Sequence, residues 1–446
     1  MGSRPVALVA AILLAVGLTA TLLRIVVDYQ TPGPFNHDAQ GLCDFHNGIY
    51  FPTRAVLIGE SPYSEAYAQK YPVARQIPFF SPIILLLHAP LAVVPLHVGE
   101  VLNLVLQLVM LTLIVLLVSR AAGMPRRIDF ALGVAAFVVF SRGGHITLFN
   151  GYFTFQVVLA TWLAIQWADR RPIASSLMLF VVSAKPTYIL PLGFLMLARG
   201  HVRALAYGAA LSITRTALSL GWLAYHEGGS DLIRGTSVLA DQIVQTQAVH
   251  RSMEDESPVF SWTRLDLFAI IAKWRGEDPG DLPHLLTMFA FLPVPMWILW
   301  RRRHRDLGSA RLDAIHDVNP KETGISDGNL GGLSGAVLLT TVLVSLYHQS
   351  YDSLLLTVPI AALIAGRISD WRDRPWWVRF GLAGLLAFPA MNYLSTRLFL
   401  LRFDVATHWV KVFTSLNGVV LAIGLVILCM MSWPRIKTNS PALETE

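Results

Sequence analysis

Charge is what this 446-residue chain has least of. Only 14% of its residues are Asp, Glu, Lys or Arg, against roughly 25% in a soluble globular domain. So long a chain with so little charge must turn most of its surface to lipid, which excludes a soluble multidomain enzyme. Hydrophobic residues make up 54% and mean hydropathy is +0.53. That leaves room for about a dozen spans of roughly 20 residues. Cysteine is nearly missing as well: Cys43 and Cys429 stand at opposite ends of the chain. Their separation argues against a disulfide, and no metal-ligand spacing surrounds them, so no metal site is expected. There is no strand–glycine-rich–helix pattern of the kind that cradles a nucleotide. Tandem repeats and low-complexity tracts are missing too.

The net charge is +6, and the Arg and Lys residues gather between apolar runs. That is the positive-inside pattern of a membrane protein, not a nucleic-acid face. The first run, 6–27, is long enough to span, and no small-residue cleavage site follows, so a retained helix is expected. A polar stretch rich in Pro, Gly, Tyr and His occupies 28–80, and two apolar runs follow at 82–96 and 101–118.

Parity chooses between these two runs. If both cross, Arg120, Arg126 and Arg127 face outside and every later basic group inverts. If only 101–118 crosses, the groups at 170–171, 199–203, 301–305, 367–379 and 435–437 all lie in the cytoplasm. The run 82–96 is short and holds Pro82, His88 and Pro90, so it is expected to lie at the outer interface. The fold class expected is an all-α polytopic membrane protein, one domain over 1–446 with about 12 transmembrane helices. Residues 28–98 form the first extracytoplasmic loop and carry interfacial helices. A cytoplasmic loop at 301–332 and a cytoplasmic tail at 432–446 complete the topology.

On this topology the unusual polar residues collect on the outer face. The first loop holds Asp38, Asp44, Tyr63 and Arg75; an outer turn holds Arg142, Asn150 and Tyr152. Lys185 lies between two short apolar runs, where a lysine is costly unless paired or wet. It either snorkels to the interface or binds an anion such as a lipid phosphate. His348 and Asp352 are spaced to share one helix face: either they hydrogen-bond to each other in the packed interior, or His348 points into the cavity of Lys185. Arg215, alone in mid-span, is expected to have a structural partner. Asp44 by itself reads as a cap or a solvated loop group.

The order of these features resembles the family 87 glycosyltransferases of the GT-C superfamily. Asp44-Phe45 follows the first span. Then come Ala55 and Leu57, Gly59-Glu60-Ser61-Pro62-Tyr63, the Pro-rich run from Pro78 to Pro82, and Leu85 to Pro95. Asn150-Gly151-Tyr152 stands at a turn where the family carries a Gln as well, which this chain lacks. Lys185-Pro186 and the turn Tyr347-His348-Gln349-Ser350-Tyr351-Asp352 complete the likeness.

The resemblance implies inverting transfer of a hexose, most often mannose, from a polyprenyl-phosphate sugar to a lipid-linked glycan or glycolipid. It casts Asp44 as the general base. Lys185, His348, Arg75 and Arg142 become donor-phosphate ligands, and Tyr63, Asn150, Tyr152 and Asp352 substrate contacts. It implies no cofactor and no nucleic-acid partner, a cell-membrane location, and an active site on the extracytoplasmic side. Two alternatives are a GT-C transferase of another type, using Asp38 paired with Asp44, and a lipid or solute transporter. Transporters tend to show internal repeats.

Overall fold

A backbone in lipid must satisfy its own hydrogen bonds, and this chain does so almost wholly with helices. The computed structural model describes residues 4–34, 36, 38–77, 81–253, 256–315, 330–402 and 407–433. Among them every regular element is a helix, and β structure is limited to the isolated bridges Tyr29–Gly41 and Arg264–Gln349.

The longer helices are α1 (Arg4–Val27), α2 (Leu96–Ala121), α3 (Ile128–Phe140), α4 (Arg142–Asn150), α5 (Thr154–Trp167), α6 (Pro172–Val182), α7 (Pro186–Ala198) and α8 (Val202–Glu227). They continue with α9 (Leu232–Ser252), α10 (Leu267–Arg275), α11 (Asp281–Phe291), α12 (Pro293–Ile315), α13 (Leu333–Ser345), α14 (Thr357–Ala365), α15 (Trp376–Met391) and α16 (Thr407–Ser432).

Four helical stretches among the described residues are long and apolar enough to cross a membrane: Arg4–Val27, Leu96–Ala121, Asp281–His304 and His408–Ser432. A fifth arises if α3 and α4 count as one span, bent by 68° at Ser141. Ser141 makes the break by capping α4: its Oγ accepts from the Gly144 amide at 3.0 Å. Of the about 12 membrane helices expected above, these four or five are long enough to cross by themselves among the described residues. α6, α7 and α13 have 11, 13 and 13 residues, shorter than the roughly 20 needed to cross alone. α8 has the length but carries Arg203, Arg215 and Glu227.

The run at 82–96 forms no span. It breaks at His88 into two short helices, Ile83–Leu87 and Ala89–Ala92, with Pro90 in the first turn of the second. The rest of the first loop adds Cys43–Phe45, His46–Tyr50, Phe51–Leu57 and Glu65–Lys70. Between 225 and 262 the 21-residue α9 folds back along α8. The turn is made by Gly229 and Ser230, both at positive φ. Asp231 then caps α9 by accepting from the amides of Ile233 and Arg234. α12 runs on as far as Ile315, so the region assigned to a loop begins as helix. The remainder of that loop at 316–329, and the tail from 434 on, lie outside the described residues.

α13 sits at the centre. Nearly all its side chains are buried, as a helix that is apolar all round requires. It packs against α7, α12 and α16. After it the chain leaves the helix at Leu346 and enters the polar turn at 347–352, so the most buried helix delivers that turn into the middle of the molecule.

Candidate active site

Asp44 begins a helical segment with unusual geometry. Leu42, just before it, is left-handed (φ 63°), and its amide donates to the Phe149 carbonyl at 2.8 Å. After Phe45 the chain widens into a π-helix, His46–Tyr50, a form met mostly as single turns at functional sites. Phe45, His46, Ile49 and Tyr50 hold the segment in the core. His46 Nε2 meets Glu100 Oε1 at 2.7 Å, and Glu100 also accepts from Tyr29 (2.7 Å) and pairs with His97 (2.9 Å).

The Asp44 side chain is left 13% exposed, so it reaches open space while its neighbours do not. Its Oδ1 accepts from Arg75 at 3.4 Å and its Oδ2 from Asn150 Nδ2 at 3.2 Å. Asn150 ends α4, and the following turn is pinned to α2. Asn103 Nδ2 donates to the Gly151 carbonyl (3.2 Å) and Gln107 Nε2 to the Tyr152 carbonyl (2.6 Å). Glycine is required at 151 twice over. Its φ is +75°, and a Cβ there would lie 2.8 Å from Cβ of Phe45, beside Asp44.

Tyr152 joins this half of the site to a second one. Desolvation pushes its hydroxyl well above the ordinary range, and the charges of Asp44, Asp352 and Glu256 push it further, with Arg75 opposing. The phenol thus feels three carboxylates and a guanidinium. Lys185 Nζ lies 6.0 Å from the Tyr152 ring, 5.2 Å from that of Tyr188 and 4.6 Å from that of Tyr351. Such an aromatic enclosure holds a cation by its ring faces. Lys185 donates to Asp352 Oδ1 at 2.7 Å, and the Tyr188 hydroxyl donates to the same oxygen at 2.8 Å. Asp352 Oδ2 accepts from the Gln349 amide at 3.0 Å. The aspartate is fully buried, whereas the lysine is 12% exposed. One of its three N–H groups is used by Asp352, and a ligand arriving from the open side can take the others.

The wall behind this cluster comes from residues for which the sequence analysis assigned no role. Glu256 accepts from the Tyr347 hydroxyl and from Gln349 Nε2. Arg264 forms a two-point ion pair with Asp266 (2.9 and 3.0 Å) and covers the Tyr347 ring at 4.7 Å. The Leu265 amide donates to the His348 carbonyl at 2.8 Å. Glu256 lies outside every motif noted in the sequence. Tyr351 stood inside the turn at 347–352 without a role, and Tyr188 follows Lys185-Pro186 by two residues.

Asp44, Arg75, Asn150, Tyr152, Lys185, Asp352 and His348 therefore share one neighbourhood, but the expectations for His348, Arg142, Tyr63, Arg215 and Asp38 are corrected. His348 is not a cation. Its burial pushes it down to about 4, with Lys185 adding to the effect and Asp352 opposing it. Its Nδ1 faces the Leu346 carbonyl at 3.0 Å, leaving Nε2 as a bare acceptor, which repels a phosphate. Of the two arrangements left open for His348, the bond to Asp352 is not formed, because Asp352 turns to Lys185 and Tyr188; His348 packs edge-on against Tyr188, 4.7 Å between centroids. Arg142 is buried and spent elsewhere, donating to the Asn392 carbonyl at 3.1 Å and to Ser395 Oγ. Tyr63 lies in the apolar core, its carbonyl accepting from Thr246. Arg215 is exposed on α8 and forms no ion pair among the described residues. Asp38 is also exposed, which removes support for a paired-acid site.

Two expected outcomes follow from these corrections. Substituting Arg142 by Met leaves the Asn392 and Ser395 acceptors without their donor. It is expected to lower stability by roughly 1–3 kcal/mol while leaving the donor KM unchanged; a raised KM at unchanged melting temperature would restore Arg142 to the site. His348 gives a pH signature. Between pH 6.5 and about 4 the unfolded chain binds a proton here that the native chain does not. The stability present above pH 6.5 is therefore lost as pH falls through that window. His348→Gln is expected to flatten the melting-temperature profile between pH 6.5 and 4, and parallel profiles would contradict a neutral buried imidazole.

Long apolar helices and a carboxylate facing a caged ammonium define a membrane protein with a candidate catalytic centre. The profile of Glycosyltransferase family 87 matches residues 79–316, more than half of the chain. The chain belongs to that family and is a glycosyltransferase. The matched stretch contains Asn150, Tyr152 and Lys185 and stops short of Asp44, Arg75, His348 and Asp352 on either side. No curated protein and no solved structure matches the chain.

Proposed function

We propose that the protein transfers a hexose, mannose in the first instance, from a polyprenyl-phosphate sugar to a hydroxyl of a lipid-linked glycan or glycolipid, with inversion. The observation that carries this reading is that Asp44, through its bond to Asn150, and Lys185 both stand in the neighbourhood of Tyr152. An acceptor hydroxyl is a weak nucleophile, and a positioned carboxylate takes its proton as the new bond forms. In a single displacement the acceptor oxygen bonds to the anomeric carbon. The carbon–oxygen bond to phosphate breaks on the opposite face, and the departing phosphate takes the electron pair. No general acid is needed, because the leaving oxygen is already a phosphate oxygen; its growing charge needs a cation instead.

Lys185 fits that task, having N–H groups to spare beyond Asp352. Arg75 and Asn150 orient Asp44. Tyr152, near both, offers a phenol to the sugar or the phosphate. Asp352 acts through Lys185, and His348, buried against Tyr188, supports the aromatic wall and is not a phosphate ligand. No cofactor, metal or nucleic acid enters the scheme. The wider reading is a GT-C-like bundle of about 12 membrane-crossing or partly crossing helices. The short helices of 28–98 lie at the outer interface of the cell membrane, and the site opens on the extracytoplasmic side.

The test is direct: purified protein is incubated with a panel of polyprenyl-phosphate sugars and membrane lipid extract, and glycosylated lipid is sought by mass spectrometry. A product formed only with nucleotide sugars would sink the donor assignment. A product retaining the anomeric configuration would sink the single displacement.

A further inference from the structure

A groove of about 660 Å³ runs between α2, α5 and α6, under the two short helices that precede α2. One wall is a stripe on α2: Leu106, Met110, Leu113, Leu117 and Arg120. The facing wall is Leu159, Ala160 and Leu163 of α5 with Met178 and Val181 of α6. Leu106 to Arg120 covers about 21 Å along the helix axis at ~1.5 Å per residue. The groove is therefore long enough to hold a stretch of hydrocarbon chain lying along α2.

Its end remote from Arg120 adjoins the candidate active site. Gln156 lines the groove one helical turn after Tyr152, and Val181 lines it one turn before Lys185. The two residues fall at the same end because α5 and α6 run antiparallel, Ser175 Oγ donating to the Ala164 carbonyl at 2.6 Å. The polar groups near this end are His88 Nε2 and Gln156 Nε2, 2.9 Å apart. Apolar walls, and an end one turn away from Tyr152 and Lys185, fit a lipid whose tail lies in the groove and whose phosphate reaches Lys185.

We propose that this groove seats the hydrocarbon tail of the phosphate-linked donor, and that Leu113 and Ala160 set its selectivity for tail length. The proposal rests on the donor class proposed above and adds the place of the tail and its consequence for specificity. A tail long enough to reach past Leu113 gains contacts that a truncated one lacks, and the gain falls in KM.

Two measurements test it separately. In the first, a polyprenyl phosphate carrying a diazirine in its tail is photolysed with the full-length protein in nanodiscs, and labelled peptides are mapped. Label is expected on the α2 stripe and on α5, competed by unmodified polyprenyl phosphate and not by equimolar phosphatidylglycerol. Label elsewhere, or equal competition by the phospholipid, overturns the proposal; equal competition would make the groove a seat for ordinary membrane lipid. In the second, Leu113→Trp and Ala160→Phe are assayed with donors sharing one head group on a long or a ten-carbon tail. Leu113 is 45% exposed, so its substitution fills the groove from the lipid side without disturbing the core, whatever Ala160→Phe does to folding. The long-tail KM is expected to rise about tenfold with the short-tail KM unchanged, and an unchanged long-tail KM, or equal effects on both donors, overturns the proposal. If the groove labels as expected but no polyprenyl-phosphate sugar gives product in the wild type, the donor reading falls and the tail site stands.

Discussion

Asp44→Asn is expected to fold, insert and melt like the wild type while losing transfer by a factor of at least about a hundred, the usual worth of a general base. The substitution keeps the shape of the side chain and an oxygen for Asn150 or Arg75, so the segment around it has no reason to move. What it removes is the basic lone pair that takes the acceptor's proton. The side chain is 13% exposed, so no buried charge is stranded. The measurement is turnover under saturating donor, with a thermal melt on the same preparation. Retained turnover eliminates Asp44 as base. A collapse of the melting temperature would show that it was structural.

Lys185→Met is expected to fail in both respects at once, and a second substitution separates them. Asp352 is fully buried, so removing its cation leaves an uncompensated charge, typically destabilising by roughly 3–5 kcal/mol. Tyr188 and the Gln349 amide soften this and do not replace the charge. Adding Asp352→Asn removes the stranded carboxylate, so Lys185→Met/Asp352→Asn is expected to recover most of the lost stability. The donor KM of the double variant remains high, because nothing replaces the ammonium at the phosphate. If the double variant regains donor affinity along with stability, Lys185 serves only to neutralise Asp352 and the phosphate role is lost.

Much of this site was legible in the sequence because its residues are chemically out of place. A lysine between apolar runs and a polar turn before a helix are costly in lipid, so each marks a position that something compensates. The compensation itself was not legible. Lys185 and Asp352 are far apart in sequence, and only the emergence of α13 beside α7 brings them together. Arg142 and Lys185 looked alike, each a cation in a short polar segment. The fold closes Asn392 and Ser395 over Arg142 and leaves Lys185 partly open, so one is a brace and the other a candidate ligand. His348 was misread for the same reason: protonation depends on burial, which no local pattern records. The helix count was also only partly readable. Length and composition reveal α1, α2 and α16, while short helices such as α13 owe their place to neighbours that shield their ends.

The widened turn at His46–Tyr50 makes the chain length here a functional quantity. A π turn fits one more residue than an α turn into nearly the same rotation, so deleting one residue, Gly48 for example, would let 43–57 wind as a regular α-helix with Asp44 still on its side of Phe51–Leu57. Deleting a second would turn the carboxylate away from Asn150 by about 100°, the angle of one residue in an α-helix. In this loop one residue can be lost with the bearing of the site kept, and the next cannot.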